Sequence, residues 1–135
     1  MFVTCFYAVL DPKSGNLTYA NAGHDLPYLH RGRGEAEELR ARGMPLGLMP
    51  GMGYEEKEIE LDVGESALFY SDGLVEAHNP YGGIFDFPRL RTLVAEHGEE
   101  ASLSNLLEEE LHPFTGEGWE QEDDITLLTL RRSAP

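Results

Sequence analysis

The sequence predicts a single α+β domain. Apolar stretches rich in β-branched and aromatic residues dominate the first two-thirds of the chain, whereas leucine and valine recur at helical spacing between residues 88 and 111. A last apolar run over residues 125–130 returns to strand character. A chain of 135 residues with 41% hydrophobic composition can bury one core, and it has no linker or internal repeat. We therefore assign residues 1–132 to one domain and residues 133–135 to a tail.

The strand predictions follow from short apolar or alternating runs bounded by turn residues. The nearly unbroken run 2–10 predicts a strand covered on both faces. Proline and glycine within residues 11–16 predict a chain reversal, so that residues 17–21 return as the second strand of a hairpin. Further strands are predicted at residues 27–30, 35–42, 57–61, 66–71 and 125–130.

Two helices are predicted after this strand-rich part. Pro88 suits the first turn of a helix that continues to His97. Either Ser102 or Ser104 can cap a second helix that carries leucines to Leu111. We expect residues 113–118, with their proline and glycines, to break it, and the glycine-rich residues 43–53 to form an irregular loop.

Composition limits the partners of this chain. Acidic residues outnumber basic ones by 25 to 10, for a net charge of −15. This charge disfavours nucleic acids and anionic membranes and leaves basic proteins and divalent cations. Cys5 is the single cysteine, which predicts a reducing, cytoplasmic setting without an internal disulfide. The longest apolar run, residues 2–10, is far too short for a membrane span and lacks the flanks of a signal peptide.

Carboxylates at strand ends are the chemically suggestive feature. Asp72 follows the predicted strand 66–71, where Gly73 allows a sharp turn, and Asp123 and Asp124 precede the last strand. If the two strands are neighbours, these acids meet at one rim of a sheet, and oxygen ligands of this kind suit Mg²⁺ or Mn²⁺. The spacing alone leaves the alternative open that Asp72-Gly73 is an ordinary turn and the acidic pair a solvated loop.

Five sequence blocks, in order, resemble one known family. The chain is similar to the metal-dependent protein phosphatases (PPM), in their bacterial SpoIIE-like branch. The resemblance extends from Phe2 to Leu130 and is carried by FVTCFYAVLD at residues 2–11, LTYANAGH at 17–24, MPLGL at 44–48, LFYSDGLVEA at 68–77 and DDITLL at 123–128.

The resemblance implies a fold, an activity and a site. The fold is a four-layer α-β-β-α sandwich of mainly antiparallel sheets, and the activity is Ser/Thr protein phosphatase chemistry with two Mn²⁺ or Mg²⁺ ions. Asp72 and Asp123 correspond to metal ligands, with Asp124 as the alternative to Asp123, and Gly73 lies beside them. His24 stands where related phosphatases carry an acid near the metals, so it either lines the site or is a hydrogen-bonded hairpin residue; Gly23 serves the turn. The implied substrate is a phosphoserine or phosphothreonine protein, such as an anti-sigma-factor antagonist.

The chain also departs from the family pattern. That pattern begins earlier, with an acidic block and a Gly-Asp segment that supply further metal ligands, and nothing here matches them. Asp11, Asp25 and Asp62 lie in turns and breaks and are not expected to replace them. We therefore expect the C-terminal part of a phosphatase domain, with weak Mg²⁺ or Mn²⁺ binding and little or no turnover.

Missing strands are expected to leave sheet edges uncovered, which favours a homodimer or a domain-swapped form. Two alternatives stay open. One is a non-catalytic remnant of the same fold that binds a phosphoprotein or oligomerises. The other is an α+β domain whose resemblance to the family is structural only.

Overall fold

Two antiparallel sheets and a helical layer make up the fold. The computed structural model describes residues 1–32, 34–98, 103–116 and 124–133. Within these ranges the elements are, in chain order, β1 (Cys5–Leu10), β2 (Asn16–Ala22), β3 (Tyr28–His30), β4 (Ala36–Glu38), β5 (Glu56–Glu60), β6 (Ser66–Tyr70), α1 (Asp72–Glu76), α2 (Phe87–His97), α3 (Leu103–Thr115) and β7 (Leu127–Arg131).

The strands form a three-stranded sheet in the order β1-β2-β5 and a four-stranded sheet in the order β4-β3-β6-β7. The pairs within both sheets are antiparallel. The predicted hairpin is confirmed, with Leu10 opposite Leu17. Its turn uses Gly15 at a φ of +78°, a conformation that favours glycine. The last strand lies beside β6, with Leu127 opposite Tyr70, so the two strands that the acidic residues flank are neighbours.

The core occupies two layers. Between the sheets lie Leu17, Leu29, Leu61 and their neighbours, with Phe6 from β1 stacked on Tyr19. A second cluster lies between the four-stranded sheet and the helices. Each helix contributes one apolar stripe to it: α2 buries Leu90 and Val94, and α3 buries leucines at positions 103, 107 and 111.

This layering confirms the predicted fold class. Helices α2 and α3 contact β3, β4 and β7, so they cover the outer face of the four-stranded sheet. The described residues thus form two sheet layers and one helical layer, which are three of the four expected layers. No helix in these ranges is long and apolar enough to cross a lipid bilayer.

Several details of the strand predictions are wrong. The strand within residues 2–10 begins only at Cys5 and is not covered on both faces, because Tyr7 is 65% and Val9 51% exposed. An apolar run looks the same in an edge strand and in a central one, which explains the error. The strand predicted over residues 35–42 is limited to Ala36–Glu38.

The predicted ends of the second long helix also need correction. Ser104 lies inside α3 rather than at its cap, and Ser102 lies outside the described residues. Pro113 does not break the helix, which runs to Thr115. Pro113 lacks the N–H of one hydrogen bond in the last turn, and the helix continues for only two residues beyond it. The helix ends at Gly116, whose φ is +79° and whose N–H donates to the His112 carbonyl at 3.0 Å.

Candidate metal centre

Asp72 lies at the start of a short helix, directly after a buried strand. β6 ends at Tyr70, and α1 begins at Asp72 with Ser71 in extended conformation before it. The sharp turn expected at Asp72-Gly73 is wrong: Gly73 is buried within the first turn of α1. Asp72 itself is an exposed residue at the rim of the four-stranded sheet.

Ser71 ties this rim to the chain before β7. Its hydroxyl donates to the Asp124 carbonyl at 3.0 Å and accepts from the Thr126 N–H at 2.8 Å. The Ser71 N–H in turn donates to the Thr126 carbonyl at 3.0 Å. The backbone at Asp124 therefore runs beside the residue that precedes Asp72, as expected for acids that flank neighbouring strands. Asp123 lies outside the described residues.

Asp25, which the sequence placed in a chain break and which was not expected to replace a metal ligand, is an additional candidate at this rim. Burial first, and then the neighbouring Asp72 carboxyl and the charge of Glu76, together raise the pKa of its carboxyl to about 7. Asp25 Oδ2 is buried and lacks a hydrogen-bond partner among the described residues. Two carboxyl groups held together in this way repel each other unless a proton or a cation lies between them.

Strand register explains why Asp25 reaches Asp72. β3 pairs with β6 so that Tyr28 lies opposite Leu68. Continuing this antiparallel register three residues back from Tyr28 places Asp25 at the level of Ser71. Tyr70 fixes the intervening chain, because its hydroxyl donates to the Leu26 carbonyl at 2.8 Å. The position of Asp25 therefore follows from the pairing of residues 28–30 with residues 66–68. The spacing of residues along the sequence does not reveal this pairing.

His24 is held by the hairpin end. Its backbone N–H donates to Asn21 Oδ1 at 2.9 Å, and Asn21 Nδ2 donates to the His24 carbonyl at 3.0 Å. The ring Nδ1 lies 2.9 Å from the Asp25 carbonyl. Gly23 serves the turn as expected, with a φ of +71°, and a Cβ there would lie 2.7 Å from the Pro45 ring. The loop that carries His24 and Asp25 is thus locked against the MPLGL segment.

A small cavity opens beside the carboxyl pair. It measures about 340 Å³, and His24, Asp25, Tyr28, Glu38, Tyr70 and Phe87 are among the residues that line it. The Tyr28 and Tyr70 rings stack along it with centroids 5.9 Å apart. Burial raises the pKa values of both tyrosines, so their hydroxyls stay protonated at neutral pH.

The donors at this rim fit a hard divalent cation in kind. Asp25 and Asp72 offer carboxylate oxygens, one of them buried and unpartnered, and the chain at Asp124 runs alongside. The number of metal-binding side chains is too small for a complete site. Over the described ranges, the structure contains no group of three or more His, Cys, Asp or Glu side chains arranged to hold one metal ion.

Comparisons with known proteins agree with this architecture. A family model described as Stage II sporulation protein E (SpoIIE) matches residues 1–133. Protein IcfG of Synechocystis sp. is 32% identical over 134 residues, which are 98% of this chain and 21% of that protein. Phosphoserine phosphatase RsbU of Bacillus subtilis is 29% identical over 136 residues, which cover 98% of this chain and 39% of RsbU.

A solved structure extends the likeness to three dimensions. The crystal structure of the RsbU and RsbW domains of Rv1364c from Mycobacterium tuberculosis superposes with a TM-score of 0.75 at 31% identity. The match covers 98% of this chain and 36% of that one. The chain thus spans well under half the length of the curated relatives and of the solved structure that it matches.

Proposed function

The chain belongs to the SpoIIE family, and on that basis we propose that it forms part of the catalytic domain of a metal-dependent Ser/Thr protein phosphatase in bacterial signalling. Its similarity to RsbU, a phosphoserine phosphatase, supports this reaction class. The observation that carries the proposal is the contact between the Asp25 and Asp72 carboxyls at the rim where β6 ends and β7 begins. When both members of such a pair are ionised, their mutual repulsion opposes folding unless a cation lies between them.

In this proposal, Asp72 and one of the acids Asp123 and Asp124 hold Mn²⁺ or Mg²⁺. A bound ion of this kind supplies positive charge that stabilises a transferring phosphoryl group and lowers the pKa of a water molecule. Ser71 positions both sides of the rim through its hydrogen bonds to the chain at Asp124 and Thr126. Asp25 adds negative charge next to Asp72 once its proton is lost, and His24 and Gly73 line the same rim.

The proposed site is weak in this chain on its own. A two-ion centre needs about four carboxylates, and the described residues bring two carboxyl groups into contact at this rim. We therefore expect weak cation binding and little or no turnover from these residues alone. We propose the phosphatase activity, substrate and partners for the longer protein of which such a domain forms a part.

The proposed substrate is a phosphoserine or phosphothreonine protein, such as an anti-sigma-factor antagonist. The family relationship to RsbU supports this choice. The net charge of −15 favours a substrate surface with basic residues around the phosphorylated side chain. The free thiol of Cys5 fits a reaction in the reducing cytoplasm.

A second candidate function is a non-catalytic remnant of the same fold that binds a phosphoprotein or oligomerises. Within the described ranges, the absence of three or more metal-binding side chains grouped at one site favours it. The two candidates differ in one respect: the first requires Asp72-dependent binding of Mn²⁺, and the second does not.

Calorimetric titration of Mn²⁺ into the purified chain tests the proposal. We expect weak binding that Asp72→Asn abolishes, whereas Asp62→Asn, a matched change at an exposed acid in the β5–β6 turn, leaves it intact. A phosphate-release assay with Mn²⁺ runs in parallel. If Asp72→Asn binds Mn²⁺ as well as the wild type does, the proposed site is wrong. If the wild type releases phosphate rapidly and Asp72→Asn does not, the expectation that this chain is nearly inactive is wrong.

A further inference from the structure

The cavity of about 340 Å³ beside the carboxyl pair is built on the centre of the four-stranded sheet. Tyr28 of β3 and Tyr70 of β6 line it, and each of these strands has a partner strand on both sides. Both tyrosines are buried, whereas Phe87, the first residue of α2, also lines the cavity and is 39% exposed. Ligand sites measure about 300–1,000 Å³, so a cavity of this size suits a single side chain.

The polar groups of the lining already have partners. The His24 ring Nδ1 lies 2.9 Å from the Asp25 carbonyl, and the Tyr70 hydroxyl donates to the Leu26 carbonyl at 2.8 Å. A bound group therefore gains no hydrogen bond from these atoms without breaking one that exists. The lining that is left to it consists of aromatic rings and the Leu26 side chain.

The two carboxyl groups of the lining are also engaged. The Glu38 carboxylate lies 3.1 Å from Arg40 Nε and 3.7 Å from Arg91 Nη1, so its charge is balanced by two guanidinium groups. The Asp25 carboxyl lies beside Asp72 and belongs to the proposed metal site. A basic side chain would find no unbalanced charge at Glu38, and the cavity therefore fits an apolar side chain better than a basic one.

A strained residue holds Phe87 at the cavity. Asp86 has a φ of +66° and a ψ of 162°, and no other non-glycine residue in the described ranges has a positive φ. This conformation is nearly restricted to glycine and costs about 1–3 kcal/mol, so it persists only where the surroundings enforce it. The Asp86 Oδ1 accepts from the Phe87 N–H at 2.8 Å. The preceding ring, Phe85, is buried, and the chain at Asp86 turns so that Phe87 stays exposed.

Phe87 is tied to the proposed metal site through α1. This helix begins at Asp72, and the carbonyl of Val75 within it accepts from the Asp86 N–H at 2.9 Å. On the other side, Asp25 both interacts with Asp72 and lines the cavity that Phe87 borders. The cavity and the carboxylates at the rim are therefore held in one fixed arrangement.

We propose that this cavity is a specificity site for an apolar side chain two residues away from the phosphorylated residue of the substrate, and that Phe87 packs against that side chain. The inference rests on the proposed phosphatase function and adds to it a preference for substrate sequence. Side chains two residues apart in an extended peptide point to the same side and lie about 7 Å apart. A phosphorylated side chain at Asp72 therefore brings such a neighbour to the cavity.

Binding of synthetic phosphoserine peptides to the full chain in Mn²⁺ tests the proposal. Glycine and serine surround the phosphoserine, and leucine, lysine or serine is placed two residues before or two residues after it. Fluorescence anisotropy measures the dissociation constants and needs no turnover. We expect leucine at one of the two positions to lower the dissociation constant about tenfold relative to serine, because the cavity removes its apolar surface from water.

Phe87→Ala is the test variant, and Tyr81→Ala is the control. Tyr81 is an aromatic residue between α1 and α2 that is 95% exposed and does not line the cavity. We expect Phe87→Ala to reduce the preference for leucine to less than about threefold and to leave the affinity for the serine peptide unchanged. Phe87→Leu, which keeps an apolar wall, should retain most of the preference, and Tyr81→Ala should retain all of it.

Three outcomes would overturn the specificity site and leave the phosphatase proposal standing: equal affinity for the leucine and serine peptides, tighter binding of the lysine peptide than of the leucine peptide, or a leucine preference that survives Phe87→Ala. A fourth outcome separates the two proposals. If Asp72→Asn and removal of the phosphate both leave peptide affinity unchanged, the phosphatase proposal fails, and the role of the cavity in substrate choice fails with it.

Discussion

The carboxyl groups of Asp25 and Asp72 lie close enough to interact at the rim of the four-stranded sheet. One comes from the loop before β3 and the other from the first residue of α1, and the pairing of β3 with β6 brings the two segments together. Burial of the Asp25 carboxyl, together with its close approach to Asp72 and the charge of Glu76, raises its pKa to about 7. This relationship links the fold to the proposed metal chemistry, because the same two groups repel without a cation and attract one when both are ionised.

The first prediction concerns stability against pH in metal-free buffer. Asp25 has a pKa of about 7 in the folded chain and an ordinary value of 3.8, so the folded state binds more protons between these values. The free energy of unfolding should therefore fall as pH rises from about 4 to 7. After a discount for solvent screening, we expect Asp25→Asn to remove about 1–2 kcal/mol of this fall.

Urea unfolding at pH 5 and pH 8 in the presence of a chelator measures the effect. Asp62→Asn is the control, since Asp62 is exposed in the β5–β6 turn, and it should keep the wild-type pH dependence. Equal pH dependence in Asp25→Asn and the wild type would show that the two carboxyls do not interact in solution.

The second prediction concerns Ser71. Ser71→Ala removes the hydroxyl that accepts from the Thr126 N–H and donates to the Asp124 carbonyl. We expect a loss of about 1–2 kcal/mol of unfolding free energy, faster hydrogen exchange at the Thr126 amide, and weaker Mn²⁺ binding. Ser14→Ala provides a control, because the Ser14 hydroxyl accepts from the nearby Asn16 N–H in an exposed turn. If both variants bind Mn²⁺ alike, Ser71 does not position the site.

The third prediction concerns Gly23. A Cβ at this position would lie 2.7 Å from the Pro45 ring and would force a side chain into a φ of +71°. Gly51 has a φ of +73° and open space around it, so Gly51→Ala reports the backbone cost alone. We expect about 1 kcal/mol of destabilisation for Gly51→Ala and at least about 1 kcal/mol more for Gly23→Ala, measured by urea unfolding. Equal losses would mean that the loop bearing His24 is not packed tightly on Pro45.

Most strands were predictable because their local signals agree with the tertiary structure. The turn residues between Leu10 and Leu17 specify the hairpin, and alternation in residues 57–61 marks β5. The helices followed from their apolar stripes. What local pattern cannot give is which strand lies at an edge, so β1 was predicted to be covered, and its exposure became visible only in the sheet order.

The site was predictable only in part, for a related reason. Asp72 stands out because an acid directly after a buried strand is close to a sheet rim wherever that strand lies. Asp25 does not stand out, because its position depends on the register between β3 and β6 and on the hydrogen bond from Tyr70 to the Leu26 carbonyl. α1 was missed because Asp72-Gly73 has the composition of a turn, and a helix of five residues leaves no periodic signal.

In the proposed metal site, acids from separate segments of the chain meet at one rim to hold a hard divalent cation. Anomalous diffraction from a crystal of the chain soaked in Mn²⁺ tests it most directly. We expect an anomalous peak in contact with the Asp72 carboxylate and shared with Asp25 or with the acidic pair at residues 123 and 124. A rim that stays free of anomalous density at saturating Mn²⁺, with Asp72 turned away from those acids, would contradict it.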